Sequence, residues 1–209
     1  AFAFALFRGF EWWRVAPYVL AQTAGAFVAA LLVRWNYNDM INAIDPGHTT
    51  ATQTIFSTLP GNGTLPVSVS SALIDQIIGT AILLFLIVAV TDSLGTAPRA
   101  NLAPFIVGLI VVAIGFAWAT NAGYAINPAR DFGPRLASYF TGYGGAWRDQ
   151  YGSLYFWVPI LGPLVGGPIG VFLYDLLIGK NLRKELGATP EAPSRLPEPA
   201  VAQTSGEKL

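Results

Sequence analysis

Hydrophobic residues run in four long blocks along this chain, and polar segments separate the blocks. A helix needs about 20 mostly apolar residues to cross the hydrocarbon core of a bilayer. By that measure the blocks predict transmembrane helices at about 15–34, 71–91, 102–120 and 153–177. Asp75 and Asp175 lie near the ends of their blocks, and the third block carries no charge. The pattern therefore predicts an all-α, multi-pass membrane protein.

Composition supports a membrane protein and excludes several other classes. Only 11% of the residues are charged and 53% are hydrophobic, whereas soluble domains carry about 25% charged residues. The 12 basic and 12 acidic residues give no net charge, so nothing favours a nucleic-acid partner. The lack of cysteine excludes disulfides and thiolate metal sites. The single histidine, His48, excludes His-pair metal motifs and is expected to be a solvated loop residue.

Charged residues are concentrated at the C-terminal end. Nine of the 24 lie in Lys180–Leu209, where proline is also frequent, so we expect a membrane domain over 1–180 and a disordered tail over 181–209. Lys and Arg favour the cytoplasmic side of a membrane. If the crossings alternate, one side receives Arg8, Arg14, Arg99, Lys180, Arg183 and Lys184. This places the tail in the cytoplasm and the 36–69 loop outside.

Two of the blocks carry small residues at four-residue spacing, which permits close helix packing in lipid. These residues are Ala21, Gly25 and Ala29 in the first block and Gly162, Gly166 and Gly170 in the fourth. Both stripes predict ordinary contacts between the helices of a bundle.

The segment 115–135 combines the end of an apolar block with a helix start and three charges. Asn127 is a good N-cap, and Pro128 suits the first helical position, where its missing N–H costs nothing. We therefore predict an extended run over 121–124 and a short helix over about 128–139. That helix is too short to span a bilayer, so it either lies outside the membrane or re-enters it.

A re-entrant helix would place its positive N-terminal end near the middle of the membrane, beside a pore. This end would repel cations, whereas neutral polar solutes would meet donors on the Asn127 amide and the Arg130 guanidinium. The carbonyl acceptors would come from Asn121, Ala122, Gly123 and Tyr124. The residues alone leave open an ordinary linker helix outside the membrane, with Arg130 and Asp131 as a surface ion pair.

At these residues the chain resembles the major intrinsic protein family, and in particular its aquaglyceroporin, or glycerol facilitator, branch. The stretch AINPARDFGPRLASYFTGYG is similar to the family's second Asn-Pro-Ala box and half-helix, and the likeness extends over Phe2–Gly179. It implies an aquaporin-like inverted-repeat helix bundle with a re-entrant half-helix. It also implies that the first two spans and most of the first half-helix are missing, so we expect a piece of a longer product.

The resemblance assigns roles to individual residues. It implies solute contacts by Asn127, Pro128 and Ala129 of the second box, the filter arginine Arg130, the aromatic wall Tyr124 and the small residue beside it, Gly115. The positions that favour the glycerol branch over water-selective members are Tyr37, Asp131, Arg135, Pro159 and Ile160. At Gln76, where some members carry a buried Glu, an amide would have to anchor the pore loop.

The implied function is a channel for passive permeation of glycerol, other small neutral polyols and water, with exclusion of cations and protons. No cofactor, metal or catalytic residue is implied, and charged groups within the blocks are too few for an enzyme. The expected partners are the permeants, the bilayer of the cell membrane and further copies in a homotetramer. The alternatives are a water-selective channel and a non-conducting structural membrane protein.

Overall fold

Four helices are long and apolar enough to cross a membrane, as the hydrophobic blocks predict. The computed structural model describes residues 1–95 and 97–187, and within those ranges the only β-type pairing is the bridge between Arg148 and Leu154. The all-α fold class is therefore confirmed. The α-helices in chain order are α1 (Phe2–Phe7), α2 (Trp12–Asn36), α3 (Asn38–Ile44), α4 (Thr50–Gln53), α5 (Val69–Thr91), α6 (Ala103–Ala122), α7 (Pro128–Phe140), α8 (Val158–Tyr174) and α9 (Lys180–Glu185).

The first three spans, α2, α5 and α6, lie close to their predicted bounds, but the fourth starts later. The sequence predicts its start at residue 153, and it begins at Val158. Pro159 occupies the first helical turn, which suits a helix start, and the residues before it form a turn. In that turn Asp149 Oδ1 accepts hydrogen bonds from the backbone N–H groups of Tyr151 (2.9 Å) and Ser153 (2.8 Å).

The fourth span also continues further than predicted. A π-helical segment, Asp175–Gly179, connects α8 to α9, so the helix reaches Glu185 and does not give way to a disordered tail at residue 181. Arg183 and Lys184 in the last turn favour helix there because they complement its negative end. The rest of the predicted tail, from residue 188 onward, lies outside the described residues.

Close packing joins α8 to α5 through the glycine stripe of α8. A Cβ at Gly166 would overlap the carbonyl oxygen of Ile77, and a Cβ at Gly170 would overlap that of Ala81. The predicted bundle contact is therefore confirmed for this stripe, because any larger residue would force the helices apart. The stripe of α2 differs, since a Cβ at Gly25 would meet no atom within 4 Å.

The short helices pack on the long ones, α7 against α2 and α1 against α8. Gly133 permits the first contact, since a Cβ there would lie 2.6 Å from the Thr23 carbonyl oxygen. A bidentate salt bridge secures the second, where Arg8 Nη1 and Nη2 donate to the Asp175 carboxylate at 2.8 and 2.7 Å. Arg8 and the C-terminal end of α8 therefore lie at the same end of the bundle, as the predicted orientation requires.

The connection between α2 and α5, predicted as an outer loop, is largely structured. It contains α3 and α4, and several residues are at most 5% exposed, namely Thr52, Gln53, Phe56, Ser57, Thr58 and Leu59. The Gln53 amide donates to the carbonyl of Ala146, which follows α7 (3.1 Å). The connection therefore packs against the α7 region and forms part of the core at that end.

Candidate functional site

The connection from α6 to α7 is short, and its backbone is unusual. Gly123 ends α6 in a left-handed conformation (φ 74°), and Tyr124 (φ 39°) and Ile126 (φ 43°) also have positive φ. For an isoleucine, whose side chain branches at Cβ, this conformation is rare. Residues in such conformations concentrate at functional sites, where the surrounding structure holds them in place.

The extended run predicted over 121–124 begins too early. Asn121 and Ala122 belong to the last turn of α6, because the helix continues up to its glycine C-cap. The Asn121 side chain donates to Asp75 Oδ1 (3.0 Å), and the Ala122 carbonyl accepts from Gln76 Nε2 (3.0 Å). Both groups therefore bind α5.

Gln76 of α5 holds the connection with both ends of its amide. Its Nε2 donates to the Ala122 carbonyl, and its Oε1 accepts from the Ile126 backbone N–H (2.9 Å). Gln76 is completely buried, and buried polar groups require such partners. The amide therefore anchors the strained loop without a charge.

Asn127 caps α7, as predicted. Its Oδ1 accepts from the Ala129 backbone N–H at 3.0 Å, and Pro128 occupies the first helical turn. This bond fixes the direction of the Nδ2 group, which has no hydrogen-bond partner among the described residues. Asn127 is exposed, so this donor is available to a solute.

Arg130, on the first turn of α7, also keeps free donors. Its guanidinium carbon lies 5.6 Å from the centre of the Tyr124 ring, which is within the range of a cation–π contact. It makes no hydrogen bond or salt bridge with the described part of the chain. On the Tyr124 ring, a Cβ at Gly115 would lie 3.6 Å from Cε2 and Cζ. The ring therefore contacts both the cation and the small residue of α6.

Asp131 does not form a surface ion pair with Arg130, contrary to one of the predicted alternatives. Its side chain is completely buried and pairs with Arg135 one turn later (2.8 Å). The N–H and hydroxyl of Thr58 donate to Asp131 Oδ2 at 2.7 and 2.6 Å, and the Thr58 carbonyl accepts from Arg135 Nη2 at 2.6 Å. Buried charges are costly unless they are paired and hydrogen-bonded, so this network fixes α7 against the segment before α5.

An open cavity of about 460 Å³ lies between α7 and α2. The predicted site residues on its wall are Asn127, Ala129 and Arg130. The sequence does not indicate the rest of the lining, which consists of Gln22, Gly25, Ala26, Ala29, Ala30, Val33, Ile55, Phe56 and Pro134. Gly25 and Ala29 belong to the small-residue stripe of α2, a pattern that fits helix packing equally well.

The remaining residues singled out from the sequence lie outside this lining. Gly115 and Tyr124 reach the cavity only through Arg130, against which the Tyr124 ring packs. Tyr37 lies at the junction of α2 and α3, and Pro159 is buried in the first turn of α8. The structure thus brings the box, the arginine and the aromatic ring together, but not Tyr37 or Pro159.

The chemistry of the site is that of a polar edge beside an apolar wall. Arg130 is the one charged residue of the cavity lining, and the positive end of α7 lies at Asn127. The arrangement disfavours cations and offers N–H donors to hydroxyl oxygens. The α2 wall of alanine, glycine and valine suits the carbon skeleton of a solute.

Comparisons with known proteins all point to one family. The sequence profile of the family described as "Major intrinsic protein" matches residues 1–174. The chain is 36% identical over 185 residues to "Aquaporin-6" of Laccaria bicolor, with 86% of this chain and 57% of the relative covered. It is 38% identical over 179 residues to "Aquaglyceroporin-2" of Rhizophagus irregularis, with 83% and 55% covered. The chain therefore spans slightly more than half the length of these curated relatives.

A solved structure has a similar fold. The X-ray structure of the aquaglyceroporin from Plasmodium falciparum superposes with a TM-score of 0.76 at 28% identity. The match covers 88% of this chain and 72% of that chain. The helical arrangement described above is therefore similar to that of a solved aquaglyceroporin.

Proposed function

Because this chain belongs to the major intrinsic protein family, we propose that it supplies the selective side of a channel for glycerol, other small neutral polyols and water. Permeation is passive, down the solute gradient. The observation that carries the proposal is the pair of free donors, Asn127 Nδ2 and the Arg130 guanidinium, at the N-terminal end of α7 and beside the Tyr124 ring.

Glycerol has a polar edge of hydroxyl groups and an apolar edge of carbon. Arg130 and Asn127 donate to the hydroxyl edge, while the Tyr124 ring packs against the carbon edge. Gly115 leaves space for that ring. Even a methyl group added at this position would already touch the Tyr124 ring, at 3.6 Å. The same donors bind water, so water also passes.

Cations and hydronium are excluded by charge. The positive end of α7 and the Arg130 guanidinium both lie at the first turn of α7, and the low dielectric of a membrane interior strengthens their repulsion of cations. The chain accordingly works without cofactor, metal or covalent step, as a channel and not an enzyme. We place it in the cell membrane with a cytoplasmic C-terminus, and we propose a homotetramer.

Substitution of Gly115 tests the filter assignment. In Gly115→His, the imidazole occupies the space of the Tyr124 ring, so glycerol uptake into proteoliposomes should fall about tenfold while water flux, measured by light scattering, falls much less. Gly115→Ala is the matched control, because its methyl group fits at 3.6 Å from Tyr124 and should leave both fluxes near wild type. Equal losses of glycerol and water in Gly115→His would contradict the assignment.

The alternatives have their own outcomes. A water-selective channel would conduct water and exclude glycerol before any substitution. A non-conducting structural protein would show no difference between wild type and Arg130→Ala. In a conducting channel, Arg130→Ala removes the cationic donor and should change both glycerol flux and proton leak.

A further inference from the structure

Thr58, in the connection between α2 and α5, contacts the chain beside both Arg130 and Tyr124. It is 4% exposed, so its polar groups need partners within the protein. Asp131, which follows Arg130 in the chain, accepts hydrogen bonds from it. Gly123, which precedes Tyr124, packs against its side chain. The position of one buried side chain therefore bears on both residues of the candidate filter.

The contact of Thr58 with α7 is polar. Its backbone N–H and its hydroxyl donate to Asp131 Oδ2 at 2.7 and 2.6 Å, and its carbonyl accepts from Arg135 Nη2 at 2.6 Å. The side chains of Asp131 and Arg135 have no exposed surface, and hydrogen bonds to charged groups are among the stronger ones in proteins. These bonds therefore fix the first two turns of α7, where Arg130 lies.

The contact of Thr58 with the α6–α7 loop is apolar. A Cβ at Gly123 would lie 2.9 Å from Thr58 Cγ2 and 3.0 Å from Thr58 Cβ, closer than carbon atoms pack. Glycine therefore permits this contact, in a left-handed conformation (φ 74°) that also favours glycine. Tyr124 follows with a positive φ of its own (39°), so the backbone that carries its ring starts at the threonine methyl group.

Other anchors of this region hold one of the two segments. The amide of Gln76 binds the loop at Ala122 and Ile126. The guanidinium of Arg135 also donates to the Ala146 carbonyl at 2.6 Å and so holds α7 against the segment that follows it. Thr58 differs because it contacts the loop and the helix at once, and it therefore lies where their separation is determined.

We propose that Thr58 is a positioning residue that fixes the separation of Tyr124 and Arg130 and thereby limits the width of the permeating solute. It acts through Gly123 and Asp131, the chain neighbours of these two residues, and does not touch the solute itself. The distance that it maintains is the 5.6 Å from the Arg130 guanidinium carbon to the centre of the Tyr124 ring. The effect on selectivity rests on the proposed function, whereas the two contacts of Thr58 do not.

Thr58→Val tests the polar contact, because valine has the shape of threonine and keeps the methyl group on Gly123. The hydroxyl lies 2.6 Å from Asp131 Oδ2, whereas a methyl group needs about 3.5 Å, so the carboxylate must move by about 1 Å. It moves away from Thr58, and therefore away from the loop that packs on Thr58, and Arg130 moves with it. Uptake of the longer polyol ribitol by proteoliposomes, relative to that of glycerol, should rise about fivefold.

Thr58→Ser tests the apolar contact, because serine keeps the hydroxyl and both backbone groups and loses only the methyl group. Gly123 then has space to move, and the separation of Tyr124 and Arg130 is less sharply defined. The ratio of ribitol to glycerol uptake should rise about twofold. Since every hydrogen bond to Asp131 is retained, this variant tests the proposal even where Thr58→Val fails to fold.

Thr52→Val is the matched control, because Thr52 makes a comparable bond elsewhere in the same connection. Its hydroxyl donates to the buried Asp45 Oδ2 at 2.8 Å. It also shares a hydrogen bond of 2.7 Å with the hydroxyl of Tyr143, whose ring packs against that of His48. Thr52→Val should therefore lower the melting temperature about as much as Thr58→Val does, without any change in the uptake ratio.

The uptake ratio separates positioning from ordinary stability. A residue needed only for folding would lower all fluxes in proportion to the folded protein and leave the ratio of ribitol to glycerol unchanged. An unchanged ratio in folded Thr58→Val and Thr58→Ser therefore overturns the proposal. A ratio that rises equally in Thr52→Val overturns it as well.

Hydrogen exchange on the full chain in lipid nanodiscs tests the contacts without flux. The Ile126 N–H donates to Gln76, so its protection reports on the α6–α7 loop. In Thr58→Ser the amides of 123–127 should exchange about fivefold faster than in wild type, while those of α8 should not change. Equal protection contradicts the role of the methyl group. If wild type passes neither glycerol nor ribitol, the proposed function fails, and the exchange result then decides by itself whether Thr58 holds the loop.

Discussion

The two stripes of small residues have the same spacing but opposite surroundings. On α8, Gly166 and Gly170 lie so close to α5 that a Cβ at either would overlap a backbone carbonyl. On α2, a Cβ at Gly25 would meet nothing within 4 Å, and the residue lines the cavity beside Asn127. A stripe of small residues therefore indicates where another group can approach closely. It does not indicate whether that group is a helix or a solute.

The largest effect is expected at the packed stripe. Gly166→Ala places a methyl group on the Ile77 carbonyl oxygen, so α8 and α5 must separate, at a cost of about 3 kcal/mol. For a chain of this length, that cost lowers the melting temperature by about 6–12 °C. Thermal unfolding in detergent measures the shift, with size-exclusion chromatography used to monitor the folded fraction at each temperature.

The neighbouring glycine provides the control for this prediction. A Cβ at Gly167 would lie 3.5 Å from Ala3 Cβ, an ordinary contact distance, so Gly167→Ala should leave the melting temperature nearly unchanged. Similar decreases in melting temperature for Gly166→Ala and Gly167→Ala would show that the close contact of the stripe with α5 does not determine stability.

A smaller effect is expected where α2 does carry a packed neighbour. In Gly133→Ala, the methyl group would lie 2.6 Å from the Thr23 carbonyl oxygen and 2.9 Å from Ala26 Cβ. We expect a loss of about 2 kcal/mol, because the overlap is less severe than that at Gly166, although its relief still requires α7 to shift. The shift moves Asn127 and Arg130, so glycerol uptake should fall more than stability alone explains. Unchanged glycerol uptake in folded Gly133→Ala would show that the positions of Asn127 and Arg130 do not depend on this contact.

The smallest effect is expected on the open face of α2. Gly25→Ala adds a methyl group to empty space in the middle of a helix, so it should stabilise the protein by up to about 1 kcal/mol through helix propensity. The same melting experiment measures it. A loss as large as that of Gly166→Ala would mean that a neighbour does occupy this face in the membrane, and the contrast between the stripes would then disappear.

Patterns within short segments of the sequence correctly predicted the transmembrane spans and the start of α7. The four apolar blocks gave the spans, and Asn127 followed by Pro128 gave the start of α7, because caps and hydrophobic length are properties of short segments. The start of α8 was misplaced, since the turn held by Asp149 depends on which backbone N–H groups its carboxylate reaches.

Contacts between segments that are distant in the chain could not be predicted from the sequence. The (i, i+4) spacing of Asp131 and Arg135 signals an ion pair on a helix, but its burial depends on Thr58, which lies 73 residues away from Asp131. The packing of His48 on Tyr143 is likewise a contact between remote segments. The strained backbone of Ile126 gives no signal in residue types, because isoleucine is disfavoured in that conformation.

The amide of Gln76 has a consequence for electrical behaviour. A charge that moves through the membrane field changes its energy by about 2.3 kcal/mol per 100 mV, so a charged anchor beneath the α6–α7 loop would feel the membrane potential. Gln76 binds the loop at both ends, to Ala122 and Ile126, and carries no charge. The hydrogen bonds of Gln76 to the strained loop therefore carry no net charge, and we expect a change in membrane potential to leave them intact.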